Sequence, residues 1–161
     1  MTVGYSRPLT ERYQLNTDLT VSKLGDTVTS AGIDATQGTD SEYFLNLALL
    51  VNGLFTANDI TILGAQYNAA TTSDTSTLNF SSRFNINQKW RINPRFNISW
   101  RENDNGSERT TYKPRLLVNY RSKRNLKYDF ELGYEYSETQ SGAMTSEDEN
   151  FYVYLGYIFD F

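Results

Sequence analysis

The residues best placed to do chemistry are ten ionisable side chains at odd positions in the second half of the chain. Arg83, Arg91, Arg95, Arg101, Lys113, Arg115 and Arg121 come first, followed by Asp129, Glu131 and Glu135. Arginine neither accepts a hydrogen bond nor gives up its proton, so this set suits electrostatic work: pairing with carboxylates or attracting anions. Other chemistry is closed off. With His 0 and Cys 0 in 161 residues, imidazole bases, thiolate nucleophiles, disulfides and zinc–thiolate sites are excluded. A carboxylate pair such as Asp129/Glu131 can do acid–base work alone, but on one strand face these groups read as ion-pair partners. No catalytic residue, cofactor or metal is therefore expected, and the chain reads as a non-enzyme. The acidic run Glu147-Asp148-Glu149, with Asp26 and Asp40, offers oxygen ligands for Ca²⁺; a solvated acidic loop is the simpler reading. The 15 basic and 19 acidic residues leave a net charge of -4, which argues against a nucleic-acid partner.

Odd positions share a side only in an extended chain, where successive side chains alternate between two faces. That alternation runs through nearly the whole sequence. Trp90, Ile92, Pro94, Phe96, Ile98 and Trp100 stand against Arg91, Asn93, Arg95, Asn97, Ser99 and Arg101. The pattern repeats in Tyr112, Pro114, Leu116, Val118 and Tyr120, and again in Leu126, Tyr128, Phe130, Leu132, Tyr134 and Tyr136. Between residues 60 and 70 it is weaker, and Leu63, Ala65, Tyr67 and Ala69 are taken as the apolar set. Period two with no competing helical stripe predicts about eight strands, near 12–24, 42–55, 60–71, 76–88, 90–102, 109–121, 126–138 and 149–161. Short breaks at 56–59, 87–89 and 122–125 alternate with longer ones at 25–41, 71–76, 102–108 and 138–148. This is the grammar of an up-and-down antiparallel meander with its long loops at one end. Pro94 and Pro114, on the apolar face of adjacent strands, each remove a ladder donor and predict locally lost pairing.

The apolar set faces either a soluble core or lipid. Its aromatics concentrate near strand ends: Trp90 with Trp100, Tyr112 with Tyr120, Tyr128 with Tyr136, and Phe151 with Phe159 or Phe161. Pairs eight to ten residues apart on a tilted strand are separated by roughly 20–25 Å along a barrel axis, the height of an outer-membrane apolar band between aromatic girdles. The expected fold is therefore an all-β, antiparallel, up-and-down transmembrane β-barrel over residues 12–161. Residues 1–11 form either an N-terminal stub or the remnant of an upstream strand. The longest apolar stretch, Leu45 to Leu54, is interrupted by Asn46 and Asn52, so a membrane-spanning helix is excluded. Met1-Thr2-Val3-Gly4 shows neither a basic nor an apolar leader segment; a mature or truncated chain is expected, and the lack of Cys fits an oxidising envelope compartment.

The C-terminal residues Tyr154-Leu155-Gly156-Tyr157-Ile158-Phe159-Asp160-Phe161 resemble the terminal assembly signal of Gram-negative outer-membrane β-barrel proteins. Gly156, Phe159 and Phe161 match its pattern, and Tyr154 stands where a larger polar residue is more usual. The resemblance implies an outer-membrane location, contact with outer-membrane lipid and lipopolysaccharide, and recognition by the barrel-assembly machinery. By analogy with exporters that carry such a sector behind periplasmic repeats, the chain is read as possible C-terminal part of a larger barrel. Two functions follow from the strand grammar. An eight-stranded barrel is filled by its own side chains, so the charges would form a paired network, with Lys113–Glu135 and Arg115–Glu131 as expected contacts. That barrel would be a membrane anchor or a platform whose loop at 25–41 meets an unidentified partner. With more strands, the same arginines would line a porin-like, anion-favouring pore or export channel.

Overall fold

The computed structural model describes residues 1–26, 28–29, 34–35, 38, 40–123 and 126–159. Among them lies one antiparallel sheet in strict chain order: β1 (Thr2–Pro8), β2 (Tyr13–Ser22), β3 (Glu42–Asn52), β4 (Ile60–Ala70), β5 (Ser73–Asn85), β6 (Trp90–Asn103), β7 (Ser107–Lys123), β8 (Leu126–Ser141) and β9 (Met144–Phe159). The all-β, up-and-down meander is as the alternation predicts. No helix of the described residues is long and apolar enough to cross a membrane.

Three expectations need correction. Among the described residues the strands number nine and not about eight, because Thr2–Pro8 pairs with β2 from Thr2↔Thr20 to Pro8↔Gln14; of the two readings of the N-terminal segment, this matches the strand. The sheet is open, with β1 and β9 as its two edges. Finally, the breaks at 71–76, 102–108 and 138–148 are mostly strand. They shrink to Thr71–Thr72, Asp104–Gly106 and Gly142–Ala143. Apolar periodicity stops where the apolar face stops, but the backbone ladder continues through Ser, Thr and Glu. The ladder ends only where a turn can form, and Gly106 (φ 76) and Gly142 (φ 60) supply the left-handed conformation two of those turns require. One long connection remains at this end, between Ser22 and Glu42. About half of its expected partner-binding stretch, 25–41, lies outside the described residues; Gly38 N donates to Asp26 Oδ1 at 2.7 Å.

At the opposite end, the strand expected over 42–55 stops at Asn52, three residues short of the predicted limit. Gly53–Asp59 instead folds back over the apolar face and sets Phe55 against Phe80 and Phe84, with ring centroids 6.5 and 5.7 Å away. Within and beneath it lie four of the five best-buried side chains of the described residues: Val51, Asp59, Thr61 and Ser82. Thr61 Oγ1 donates to Asp59 Oδ2 at 3.1 Å and shares a 2.8 Å hydrogen bond with Ser82 Oγ. Asp59 also accepts the amides of Phe55 and Thr56. Burial pushes this carboxyl up, but those amides and the Thr61 hydroxyl outweigh it, so Asp59 ionises below the ordinary carboxylate range.

Away from this corner the sheet has no core of its own. Its accessible surface is 11761 Å² at 18.5 kDa, against roughly 8,200 Å² for a compact monomer of that mass. A single layer leaves both faces open, and one of them is rich in Leu, Phe, Tyr and Trp.

Candidate functional site

Cross-strand register sorts the side chains into two faces. The apolar face carries Leu15–Leu49–Leu63–Phe80–Phe96–Pro114 in one registered row and Pro94–Leu116–Leu132–Val153 in the next. The Leu63, Ala65, Tyr67, Ala69 assignment falls on this face. Near the Gly53–Asp59 end, Trp90, Tyr120, Tyr128 and Tyr157 stand directly opposite one another across four strands. Trp90 and Tyr120 are 4.4 Å apart by ring centroid, and Tyr120 stacks on Tyr128 at 6.2 Å. Toward the other end lie Tyr67, Trp100, Tyr112 and Tyr136, with Tyr112 and Tyr136 6.2 Å apart. Beyond this second aromatic level the same face turns acidic, with Glu102 opposite Glu108 and Glu138 opposite Glu147. Two of the expected end aromatics fall off these levels. Phe151 pairs with Tyr134, between the aromatic levels, and Phe159 pairs with Leu126, beyond Tyr128. Phe161 lies outside the described residues.

The polar face gathers all ten of the charged residues singled out in the sequence. Arg83, Arg91, Arg95, Arg101, Lys113, Arg115, Arg121, Asp129, Glu131 and Glu135 share one side by register. Arg109 and Lys127 join them. Arg109, opposite Arg101, went unread as a site residue because it sat at the edge of the expected strand.

Pairing within this face is sparse. Lys113 Nζ and Glu135 Oε1 meet at 2.8 Å, the one ion pair among the described residues. The expected Arg115–Glu131 pair does not form, because register puts Gly133 opposite Arg115. Glu131 instead accepts the Tyr152 hydroxyl at 2.7 Å. Elsewhere amides do the linking. Asn97 donates to Asn79 at 2.6 Å, Asn93 to Asn119 at 3.0 Å, and Asn119 to Asp129 at 2.6 Å. On β2–β4, Gln66 donates to Asn46 and Asn46 to Asp18, each at 3.3 Å. Three cation pairs face each other directly: Arg95↔Arg115, Arg101↔Arg109 and Arg121↔Lys127. The anticipated charge-neutral network is thus largely absent, since the opposite charges lie in different registers.

Glu147, Asp148 and Glu149 belong to β9 and alternate in direction, with Asp148 opposite Ser137 and its neighbours opposite Glu138 and Tyr136. They cannot converge as an acidic loop, and no cluster of metal-ligand type occurs among the described residues.

Gly156, read as part of the assembly signal, has a local structural role. A Cβ there would come within 2.7 Å of the Tyr154 hydroxyl, so the glycine makes room for the tyrosine lying along its own strand. No protein-family profile matches the sequence, and neither curated proteins nor solved structures yield a match.

Proposed function

We propose that the chain is a sector of an outer-membrane β-barrel whose polar face lines an anion-favouring pore. The observation that carries this reading is the direct opposition of Arg95 to Arg115 and of Arg101 to Arg109 on a face where Lys113–Glu135 is the one ion pair between described residues. Like charges facing one another across strands are destabilising, and sealing them away from water and counter-ions raises the cost steeply. A wall of one sign beside a water-filled lumen keeps its hydration and concentrates anions.

The apolar face supports the membrane part of the reading. Two aromatic levels bracket a band of aliphatic and Phe side chains, and acidic residues begin where the upper level ends. Hydrogen bonding of the extended backbone in hydrocarbon demands a closed sheet. Nine antiparallel strands make β1 and β9 run in the same direction, so self-closure would join them in parallel. Antiparallel closure takes an odd number of additional strands. A barrel of ten or more is wider than the eight-stranded kind that its own side chains fill, which favours a pore over the anchor or loop-display platform.

Incorporation of the full chain into planar bilayers tests this. Stepwise openings with a reversal potential on the anion side are expected, and Arg95→Gln with Arg115→Gln should shift that potential toward zero. A folded, inserted but non-conducting chain, or cation-selective openings, would overturn the pore and leave the anchor.

A further inference from the structure

We infer that the polar face holds an oxyanion-binding site at the end marked by the turn between β5 and β6, built by Lys89, Arg91 and Arg121 and selective for phosphate-type groups. A concavity of about 330 Å³ is lined there by these three cations together with Asn85, Asn87, Asn119 and Asp129. The single carboxylate in it, Asp129, already accepts the Asn119 amide at 2.6 Å.

The cations are held in place by the fold. Lys89 sits in a turn whose Asn87 side chain accepts the amides of Lys89 and Trp90 at 2.8 and 2.9 Å. The carbonyl of Lys89 in turn accepts the Arg121 amide at 2.8 Å, tying the turn to β7. Asn85 Oδ1 accepts Arg91 Nε at 3.1 Å, which orients the guanidinium and leaves its terminal nitrogens to the cavity.

Two arginines and a lysine around one cavity suit a compact oxyanion of charge two or more. Arginine can bind it bidentately, and lysine adds a point charge. The Trp90–Tyr120–Tyr128–Tyr157 row stands on the reverse of the same strands, so the site lies at the level of that membrane interface. Its phosphate could therefore belong to a lipid headgroup or to a dissolved solute. The site is part of the wall on which the pore reading rests, but binding needs no lumen, and the two are measured separately.

Equilibrium dialysis of radiolabelled inorganic phosphate against the full chain in phosphatidylcholine nanodiscs, at 150 mM KCl to screen diffuse attraction, tests the site. Saturable binding is expected, weakened about tenfold by Arg91→Gln and by Arg121→Gln. Arg121→Lys should retain part of it, which separates loss of the site from loss of the fold. Arg7→Gln, on β1, should leave it unchanged. Repeating the titration with phosphatidylglycerol in the disc assigns the source: a reduced apparent affinity marks the headgroup as the occupant, and an unchanged one marks the soluble anion. Absent binding, or equal binding in Arg121→Gln and the parent, overturns the site even if anion-selective conductance persists. Binding without conductance would sink the pore alone.

Discussion

The Tyr152 ring lies across Gly133 on the neighbouring strand, so close that a Cβ at position 133 would clash with Cε1 and Cζ. The glycine lets the ring lie flat on the polar face, where its hydroxyl reaches Glu131 at 2.7 Å, and the ring covers backbone that a bare glycine would expose. Gly133→Ala should force Tyr152 off this seat and break the Glu131 contact, at a cost of about 1–3 kcal/mol. The urea midpoint of the inserted chain checks this. Gly133→Ala combined with Tyr152→Ala should recover most of the loss, since the steric conflict is then gone.

Lys113 and Glu135 are each about one-third exposed (36% and 35%), so their 2.8 Å ion pair is worth only about 0.2–1 kcal/mol in a double-mutant cycle. Its effect on ions should be larger than its effect on folding. Glu135→Gln removes a carboxylate beside the cationic wall and should raise anion selectivity, whereas Lys113→Gln should lower it. Reversal potentials of the two variants moving in the same direction would contradict the assignment of both residues to one wall.

The faces were legible from parity alone, because a register slip of one residue would turn every Leu and Phe to the polar side. Strand limits were not. Residues 107–108 and 139–141 carry no apolar alternation, yet they pair, since ladder bonds depend on the backbone. β1 was obscured by its brevity and by Arg7, which register places on the apolar face opposite Leu15. The ten site residues were recovered because parity needs no register, whereas their partners were not. Arg115–Glu131 failed by two residues of stagger, and the Phe55 fold-back depends on contacts far apart in sequence.

Asp59 links the stability of the fold-back to pH. Its carboxyl ionises below the ordinary value near 3.9 that an unfolded chain shows. A depressed native value means that its stabilisation is fully present above the unfolded value. It is lost as pH falls through the folded one, because the unfolded state then binds the proton more readily. Melting temperature should therefore fall on acidification below about pH 4. Asp59→Asn should be less stable at neutral pH and should lose this part of the acid slope. A slope identical to the parent's would show that the carboxylate is not held by Phe55, Thr56 and Thr61 as the geometry indicates.

The lack of native Cys makes the two faces separable by single substitutions. In proteoliposomes, a thiol at Leu116 or Val118 should resist a charged maleimide, and one at Arg115 or Asn119 should react once the lumen is wetted. Reactivity without the period of two along β7 would remove the membrane assignment.

Pro94 and Pro114 each interrupt one ladder and spare the other. β5 and β6 pair through Ser81↔Arg95 and resume at Phe84↔Ile92, while Pro94 keeps its partner Leu116 on β7. β7 and β8 pair through Tyr112↔Tyr136 and resume at Arg115↔Gly133, while Pro114 keeps Phe96 on β6. In an antiparallel strand a residue's N–H and C=O point to the same neighbour, so a proline costs bonds on that side only. Next to the first gap, Asn93 Oδ1 is buried without a hydrogen-bond partner. Amides at Ser82 and Tyr134, the residues opposite the two prolines, should therefore exchange faster than those two residues further along each strand. Pro94→Val should restore protection at Ser82 without altering exchange at Leu116. Full protection at both amides in the parent chain would show that the prolines do not open these ladders.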